Sequence, residues 1–571
     1  MTRSWYGVAL TVVLALVLAA CGGSSENGAA GDANRAASPQ PSQPAATEGG
    51  GSAEQSGAAD GMIERLNLGS FGGGSTPQVN YNPFSPNVLL GDGMYIYEPL
   101  LVLNSYACEY HPWLATEYAW KDPQNLQLTI REGVKWSDGQ PFTPDDVVFT
   151  LNMLKEHQAL DTRGLWKSLD TVTADGNTIV FTFKEPAVSL FERVANQRIV
   201  PKHIWEKQAD PVTFVNESPV ATGPFLPASF NQRQLVLKRN PSYWQADKVK
   251  VNELVFTKAE GGNQVENLKL AQGEYDMNAM FVPNIEQAYV ARDPKHNHYW
   301  FPAGGAIGLG MNLQKAPFND VEFRRAMAYA INREEIITKA QFGYVAQASQ
   351  TGLVLPGQKD WLPSGIQNDG MFPFDQAQAT QILEKAGYKK GSDGKFMTKD
   401  GQPMELTFLV QSGWTDWIQA AQIIQANLNA LGLTVNVQTP TPETVESQRA
   451  AGNYDMLFVV HGGSCSMYDN YYYHLHSQSP PASNYIFHKN PDVDKLIDQL
   501  RSTVDEAEQK KVVGELARYS AEQFPTVPLW YGANWFEYST RKAEGWPNKD
   551  DPYAKPGDAL LIITHLRPSG Q

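Results

Sequence analysis

Three cysteines among 571 residues are too few for a disulfide-built scaffold. Basic residues are the minority, 46 Lys and Arg against 61 Asp and Glu, for a formal net charge of −15. That balance excludes a nucleic-acid binder, which needs a basic surface to displace counterions from phosphates. Beyond the N-terminus no uninterrupted apolar run reaches the roughly 18 residues of a membrane span, which excludes a polytopic membrane protein. The Gly-x-Ser-x-Gly, His-Glu-x-x-His and Gly-x4-Gly-Lys patterns of common hydrolases, zincins and P-loop enzymes are missing as well. What is present is a globular composition, 42% hydrophobic and 19% charged, at a length that accommodates several domains.

The first 21 residues address the compartment. Arg3 supplies a basic start, and Val8–Ala20 is almost purely aliphatic yet too short to span a bilayer, as in a signal peptide over residues 1–20. It ends in Leu18-Ala19-Ala20-Cys21, a lipobox-like site whose Cys21 thiol is expected to carry a lipid. Residues 22–60 lack every aromatic and every Leu, Ile, Val and Met. Such a stretch buries too little apolar surface to offset its ordering entropy, so 21–60 is expected to be a lipidated, disordered tether. As a flexible chain it would reach roughly 34 Å root-mean-square.

From residue 61 onward, strand and helix patterns alternate without repeats. Leu126–Ile130 and Thr178–Phe183 alternate as half-buried strands. Thr143-Pro144-Asp145-Asp146 reads as a capped helix start, with Thr143 as N-cap and Asp146 closing the box, and Asn319 with Glu322 and Asn332 with Glu335 repeat the form. Asp375 opens a helix closed at Gly387. Thr415 opens another carrying Ile418, Ala421, Ile424 and Leu428, stopped at Gly432 and followed by the strand Leu433-Val435-Val437. Helix, glycine stop, strand is the unit of a layered α/β fold.

Longer blocks then resemble a family. Tyr97-Glu98-Pro99-Leu100, Pro112-Trp113-Leu114-Ala115 and Ile130 through Thr143 are similar to the signature of extracellular solute-binding proteins of family 5. Val200 through Trp205, Thr222 through Phe225, Arg239 through Trp244, Asn319 through Glu335 and Phe524 through Leu529 agree in order. The resemblance implies an α/β, two-lobed periplasmic-binding-protein-like fold with a hinge between the lobes. Lobe I would combine 61–100, 225–310 and 525–571, an extra subdomain would occupy 101–224, and lobe II 311–524. It further implies no enzyme and no cofactor, but a monomer that hands a small solute to the permease subunits of an ABC importer from outside the membrane.

For the ligand, two departures matter. Peptide-binding members hold the free amino terminus with an acidic residue after a Tyr/Phe-Asp strand. Here Asn453 through Val460 leads into His461-Gly462-Gly463-Ser464, so a neutral Ser464 stands at that place, with Asp469 five residues on. Conversely, Thr351 through Trp361, Gly413 through Trp417 and Trp535 through Arg541 resemble the cellobiose- and oligosaccharide-binding branch. Indole faces pack on pyranose C–H faces, and planar amides and carboxylates meet the hydroxyls. Trp414 and Trp417 are therefore expected as stacking platforms on lobe II, opposed by Tyr97 or Trp535, with Asp416, Asn312, Gln350, Trp361, His461 and Ser464 beside them. The reading is a cello- or xylo-oligosaccharide binder. The alternatives are an oligopeptide or dipeptide binder of the same architecture, a nickel-complex binder drawing on His296/His298 or His474/His476, and, last, a secreted hydrolase. No resident metal is expected, and Cys108 with Cys465 either pair or stay free.

Overall fold

The computed structural model describes residues 61–71, 77–90, 94–259, 262–355, 357–480 and 483–570. The leader, Cys21 and the tether lie outside them. None of the described helices is long and apolar enough to cross a membrane.

Two mixed sheets organise two lobes. The first runs Asn297–Tyr299, Glu537–Ser539, Met277–Asn278, Ile63–Phe71, Val251–Lys258, Gln234–Arg239, Phe225–Asn231, with Ile63–Phe71 parallel to both of its neighbours. The second runs Thr434–Gln438, Glu405–Leu409, Met456–His461, Ala303–Met311, Thr526–Ala533. Its first three strands are parallel, and the last two add antiparallel. The two long strands that flank the lobe crossings, Ala303–Met311 and Thr526–Ala533, therefore pair within the second sheet. The boundaries expected at 310/311 and 524/525 would put both strands, all but Met311, in lobe I, apart from their sheet neighbour Met456–His461. The crossings fall near 300–302 and 534–536, where the Trp300 N–H donates to the Phe536 carbonyl and the Asn534 N–H to the Pro302 carbonyl, each at 2.9 Å. Hydrogen bonding, which the hydrophobic pattern does not encode, decides that boundary.

The extra subdomain carries a four-stranded antiparallel sheet, Ala115–Asp122, Asn125–Ile130, Thr178–Phe183, Leu169–Asp175, and the hairpin Leu101–Asn104 with Glu109–Pro112. Its helix Pro144–Glu156 starts as expected: the Asp146 carboxylate accepts from the Thr143 N–H at 2.9 Å. Asn332 caps its helix by accepting from the Glu335 N–H, and Asp375 caps Gln376–Lys385. The box expected at Asn319 shifts by one, because Asp320 is the residue whose side chain caps Val321–Ala330. The helix Thr415–Leu431 ends in Gly432 with a left-handed φ of 107°, a conformation that costs glycine no steric clash.

Glu98, from the Tyr97–Leu100 block, joins subdomain to lobe I. Its carboxylate is fully buried and accepts from the indole N–H of Trp113, the hydroxyl of Tyr243 at 2.9 Å and the indole N–H of Trp244 at 3.1 Å. The Arg131 guanidinium lies 4.3 Å from the Trp244 ring centroid. Burial pushes the Glu98 carboxyl up to about 7 against the pull of these donors. The subdomain also packs on lobe II: Ser189 donates to the Arg501 carbonyl at 3.0 Å, and Arg501 pairs with Glu185 at 2.7 Å. A disulfide joins Cys108 to Cys465 across the same junction.

Candidate functional site

Strand order in lobe II creates an opening. From Glu405–Leu409 the chain passes through the helix Thr415–Leu431 to Thr434–Gln438 on one side. It then crosses through Pro442–Ala450 to Met456–His461 on the other. The connections thus diverge at the carboxyl end of Glu405–Leu409, the topological switch point where open α/β sheets bind ligands. The ladder between Glu405–Leu409 and Met456–His461 stops at Leu409↔Leu457, and the Val410 N–H turns to the Gln438 carbonyl instead.

A cavity of about 240 Å³ occupies the divergence, lined by Gln411, Trp414, Trp417, Arg449, Val460 and Tyr485 among others. Trp414 is 39% exposed, an unusual state for an indole, and sits edge-to-face on Trp417 with ring centroids 4.6 Å apart. Trp417 in turn packs edge-on against Phe458 at 5.1 Å. Arg449 is held with its guanidinium 4.0 Å from the Tyr485 ring centroid and pairs with Glu446. The cavity thus offers an anchored aromatic pair facing a fixed set of hydrogen-bond donors and acceptors.

Past Val460 the same strand leads into a second, polar cavity of about 350 Å³ between lobe II and the subdomain. Gly462, Ser464, Asp469, Asn470, Tyr473 and His474 face Thr162, Arg163, Glu192 and Arg193. Arg193 donates to the Asp469 carboxylate at 2.9 Å and to the Tyr473 hydroxyl at 3.2 Å. Behind it lies a small recess of about 20 Å³ that Gln350, His461 and His474 help to line. The Gln350 amide donates to the Thr526 carbonyl at 2.6 Å. His461 Nε2 is 3.3 Å from the Thr526 hydroxyl, and the His461 ring sits edge-on to His474 at 5.4 Å. Burial drives the His461 imidazole down to about 4 and His474 well below its ordinary value, so both are neutral in the folded protein at neutral pH.

Comparison with known proteins agrees with this architecture. Residues 109–483 match the family model described as bacterial extracellular solute-binding proteins, family 5, middle region. The chain belongs to this family. Protein XP55 of Streptomyces lividans is 29% identical over 396 residues, covering 67% of this chain and 69% of its own. The oligopeptide-binding protein AppA of Bacillus subtilis is 24% identical over 71% of this chain and 75% of its own. A crystal structure from Thermotoga maritima, titled as a periplasmic oligopeptide-binding protein of an ABC transporter, superposes with a TM-score of 0.83 at 29% identity, over 89% of this chain and 99% of that one. A mannohexaose-bound structure of that protein superposes at 0.78 with the same identity and coverage. Like other family 5 members, this chain is an extracytoplasmic substrate-binding protein of an ABC importer.

The residues expected in the family 5 site are distributed unevenly. Trp414 and Trp417 line the switch-point cavity and Ser464 the polar one, with His461 and Gln350 directly behind. Trp361 lines a third cavity of about 170 Å³ beside the disulfide. Tyr97 does not face lobe II, because it is fully buried and its hydroxyl accepts from the Asn216 amide at 2.6 Å. Asn312 is buried too, donating to the Gly452 carbonyl at 3.1 Å. Asp416 points inward from the first helical turn toward Gln341, and burial pushes its carboxyl up to about 6. Trp535 sits where lobe I meets lobe II, edge-on to Phe281, Phe301 and Tyr344.

The candidate histidine pairs are dispersed: His296 binds Asp293, His298 packs on Tyr538, and His476 lies 3.7 Å from Asp498. Among the described residues no group of three or more His, Cys, Asp or Glu is placed to hold a metal ion. Arg193, Arg449, Tyr473 and Tyr485 were not singled out from sequence. Arg193 meets Asp469 across 276 positions, which no local pattern signals. The run Tyr471-Tyr472-Tyr473 is a local clue to a polar aromatic wall.

The buried histidines set a pH dependence. A folded-state pKa below the unfolded one means that the unfolded chain binds more protons in between. The stability contributed by burying neutral His461 is therefore complete above about pH 6.5 and is lost as pH falls toward about 4. His461→Gln should reduce the stability difference between about pH 7.5 and about pH 5 by roughly 2 kcal/mol, at about 1.4 kcal/mol per pH unit. Urea unfolding at the two pH values measures it, and equal differences in both proteins would show that His461 is not buried neutral.

Proposed function

We propose that this substrate-binding protein captures a neutral oligosaccharide, of cello-, xylo- or manno-type, and delivers it to its permease by closure of the two lobes. The observation that carries this reading is the Trp414–Trp417 pair at the lobe II switch point, one indole half-exposed and the other fixed against Phe458. An indole face left to water is a standing cost that a pyranose C–H face relieves. The polar cavity adds support. A peptide brings an ammonium, yet the Asp469 carboxylate in that cavity is already bound by Arg193. The mannohexaose-bound relative at 29% identity is consistent with the same ligand class. We further propose that Cys21 is lipidated, on the strength of the Leu18-Ala19-Ala20-Cys21 site and the polar segment that follows it.

A thermal-shift screen of cello-, xylo- and manno-oligosaccharides beside di- to pentapeptides tests the ligand class. A ligand at about 100 times its dissociation constant adds roughly 2.7 kcal/mol of stability. At least one sugar should stabilise the protein, while no peptide should bind better than millimolar. Trp414→Ala should lose roughly 2–4 kcal/mol of sugar binding, the range of a hot-spot aromatic, while unfolding close to the wild-type temperature. A micromolar tripeptide with no sugar response would place the chain with the peptide binders instead.

For the anchor, Cys21→Ser should shift the protein from the membrane pellet to the soluble fraction with its ligand affinity unchanged. Retention in the pellet after a salt wash would count against lipidation.

A further inference from the structure

The disulfide occupies a mechanically sensitive place. Cys108 lies exposed in the turn of the subdomain hairpin, and Cys465 lies in the lobe II loop that follows Met456–His461, 357 positions later. Beside it, Tyr106 packs on Trp300 with ring centroids 5.6 Å apart, and Trp300 is in the segment where the chain crosses between the lobes. The bridge is thus a covalent connection between moving parts, added to the two crossings at 300–302 and 534–536. The other ties between subdomain and lobe II noted above are non-covalent: Arg193 to Asp469, and Arg501 to Glu185 and Ser189. Cys108 and Cys465 also line the cavity of about 170 Å³ walled by Tyr110, Phe191, Trp361 and Tyr468. A thiolate therefore has an approach to the bond, which a structural staple sealed in a core would deny it.

We infer that Cys108–Cys465 is a thiol–disulfide exchange site for an extracytoplasmic dithiol reductant, and that its redox state governs how freely the subdomain parts from lobe II. The attacking thiolate of the reductant forms a bond to the exposed Cys108 Sγ. The Cys108–Cys465 bond breaks, and Cys465 leaves as a thiolate that takes up a proton. The second thiol of the reductant, as thiolate, then displaces Cys108 from the mixed disulfide, and Cys108 is protonated in turn. Two electrons and two protons pass to the protein, and the reductant becomes a disulfide. With the bridge closed, the open ensemble is restricted by a cross-link; with it reduced, the separation is resisted by non-covalent contacts such as these.

The test is hydrogen–deuterium exchange with solution scattering on the full chain, air-oxidised, treated with dithiothreitol, and as the Cys108→Ser/Cys465→Ser variant. The oxidised protein should gain the mass of two hydrogens on reduction. In the reduced and doubly substituted proteins, residues 185–193 and 462–475 should exchange faster by about tenfold or more, with a larger radius of gyration. Residues 405–438, inside lobe II, should be unchanged, and dithiothreitol should do nothing further to the variant. Three results would each overturn the inference: free thiols at Cys108 and Cys465 in the air-oxidised protein, equal exchange with and without the bridge, or faster exchange spread over the whole chain.

Discussion

The Arg193–Asp469 ion pair bridges the subdomain and lobe II at the wall of the polar cavity. Both side chains are largely withdrawn from water, with 17% and 10% of their surface exposed. Desolvating two charges costs several kcal/mol per ion, and only close pairing with further hydrogen bonds offsets it. The Tyr473 hydroxyl supplies one of those bonds. Because the partners come from the subdomain and from lobe II, their pairing spans the cavity between them. Arg163 and Arg193 set against Glu192 and Asp469 give the walls two residues of each sign, which supports the proposed reading of a neutral, hydroxyl-rich solute.

The hinge follows from sheet topology. The strands Ala303–Met311 and Thr526–Ala533 enter lobe II side by side, and the segments before one and after the other hydrogen-bond to each other at Trp300–Phe536 and Pro302–Asn534. Two adjacent crossings give the lobes an axis to turn on. The disulfide and the buried pair each join the subdomain to lobe II. The switch-point cavity with Trp414 and Trp417 lies wholly in lobe II.

Much of the fold was legible in the sequence because local chemistry specifies it. The Thr143, Asn332 and Asp375 caps, the Gly432 stop and the alternating strands each rest on residues a few positions apart. The ordered family blocks did the rest, since Glu98 with Trp113, Tyr243 and Trp244 forms one buried network whose members are themselves motif residues. The site was only half legible. Trp414 and Trp417 announced themselves as aromatic residues on polar ground, at a helix start. Tyr97 looked equally eligible, and only its hydrogen bond to Asn216 and complete burial place it in the core. The strands 303–311 and 526–533 were expected almost wholly in lobe I because the pairing of 303–311 with 456–461, which draws them into the second sheet, is a contact across more than a hundred residues. Arg193 was invisible for the same reason.

A double-mutant cycle on Arg193 and Asp469 tests the central claim, that the acidic group in the cavity is already engaged in the native protein. Arg193→Met, Asp469→Asn and the double variant would be compared by urea unfolding and scored for additivity. The account predicts that each single change costs about 3–5 kcal/mol by stranding a buried charge. The double variant should recover much of that loss, leaving a coupling of about 1.5 kcal/mol or more. Additive effects, with Asp469→Asn nearly neutral, would mean that the carboxylate stands free to meet a ligand cation, and the case for a neutral sugar would lose its electrostatic half.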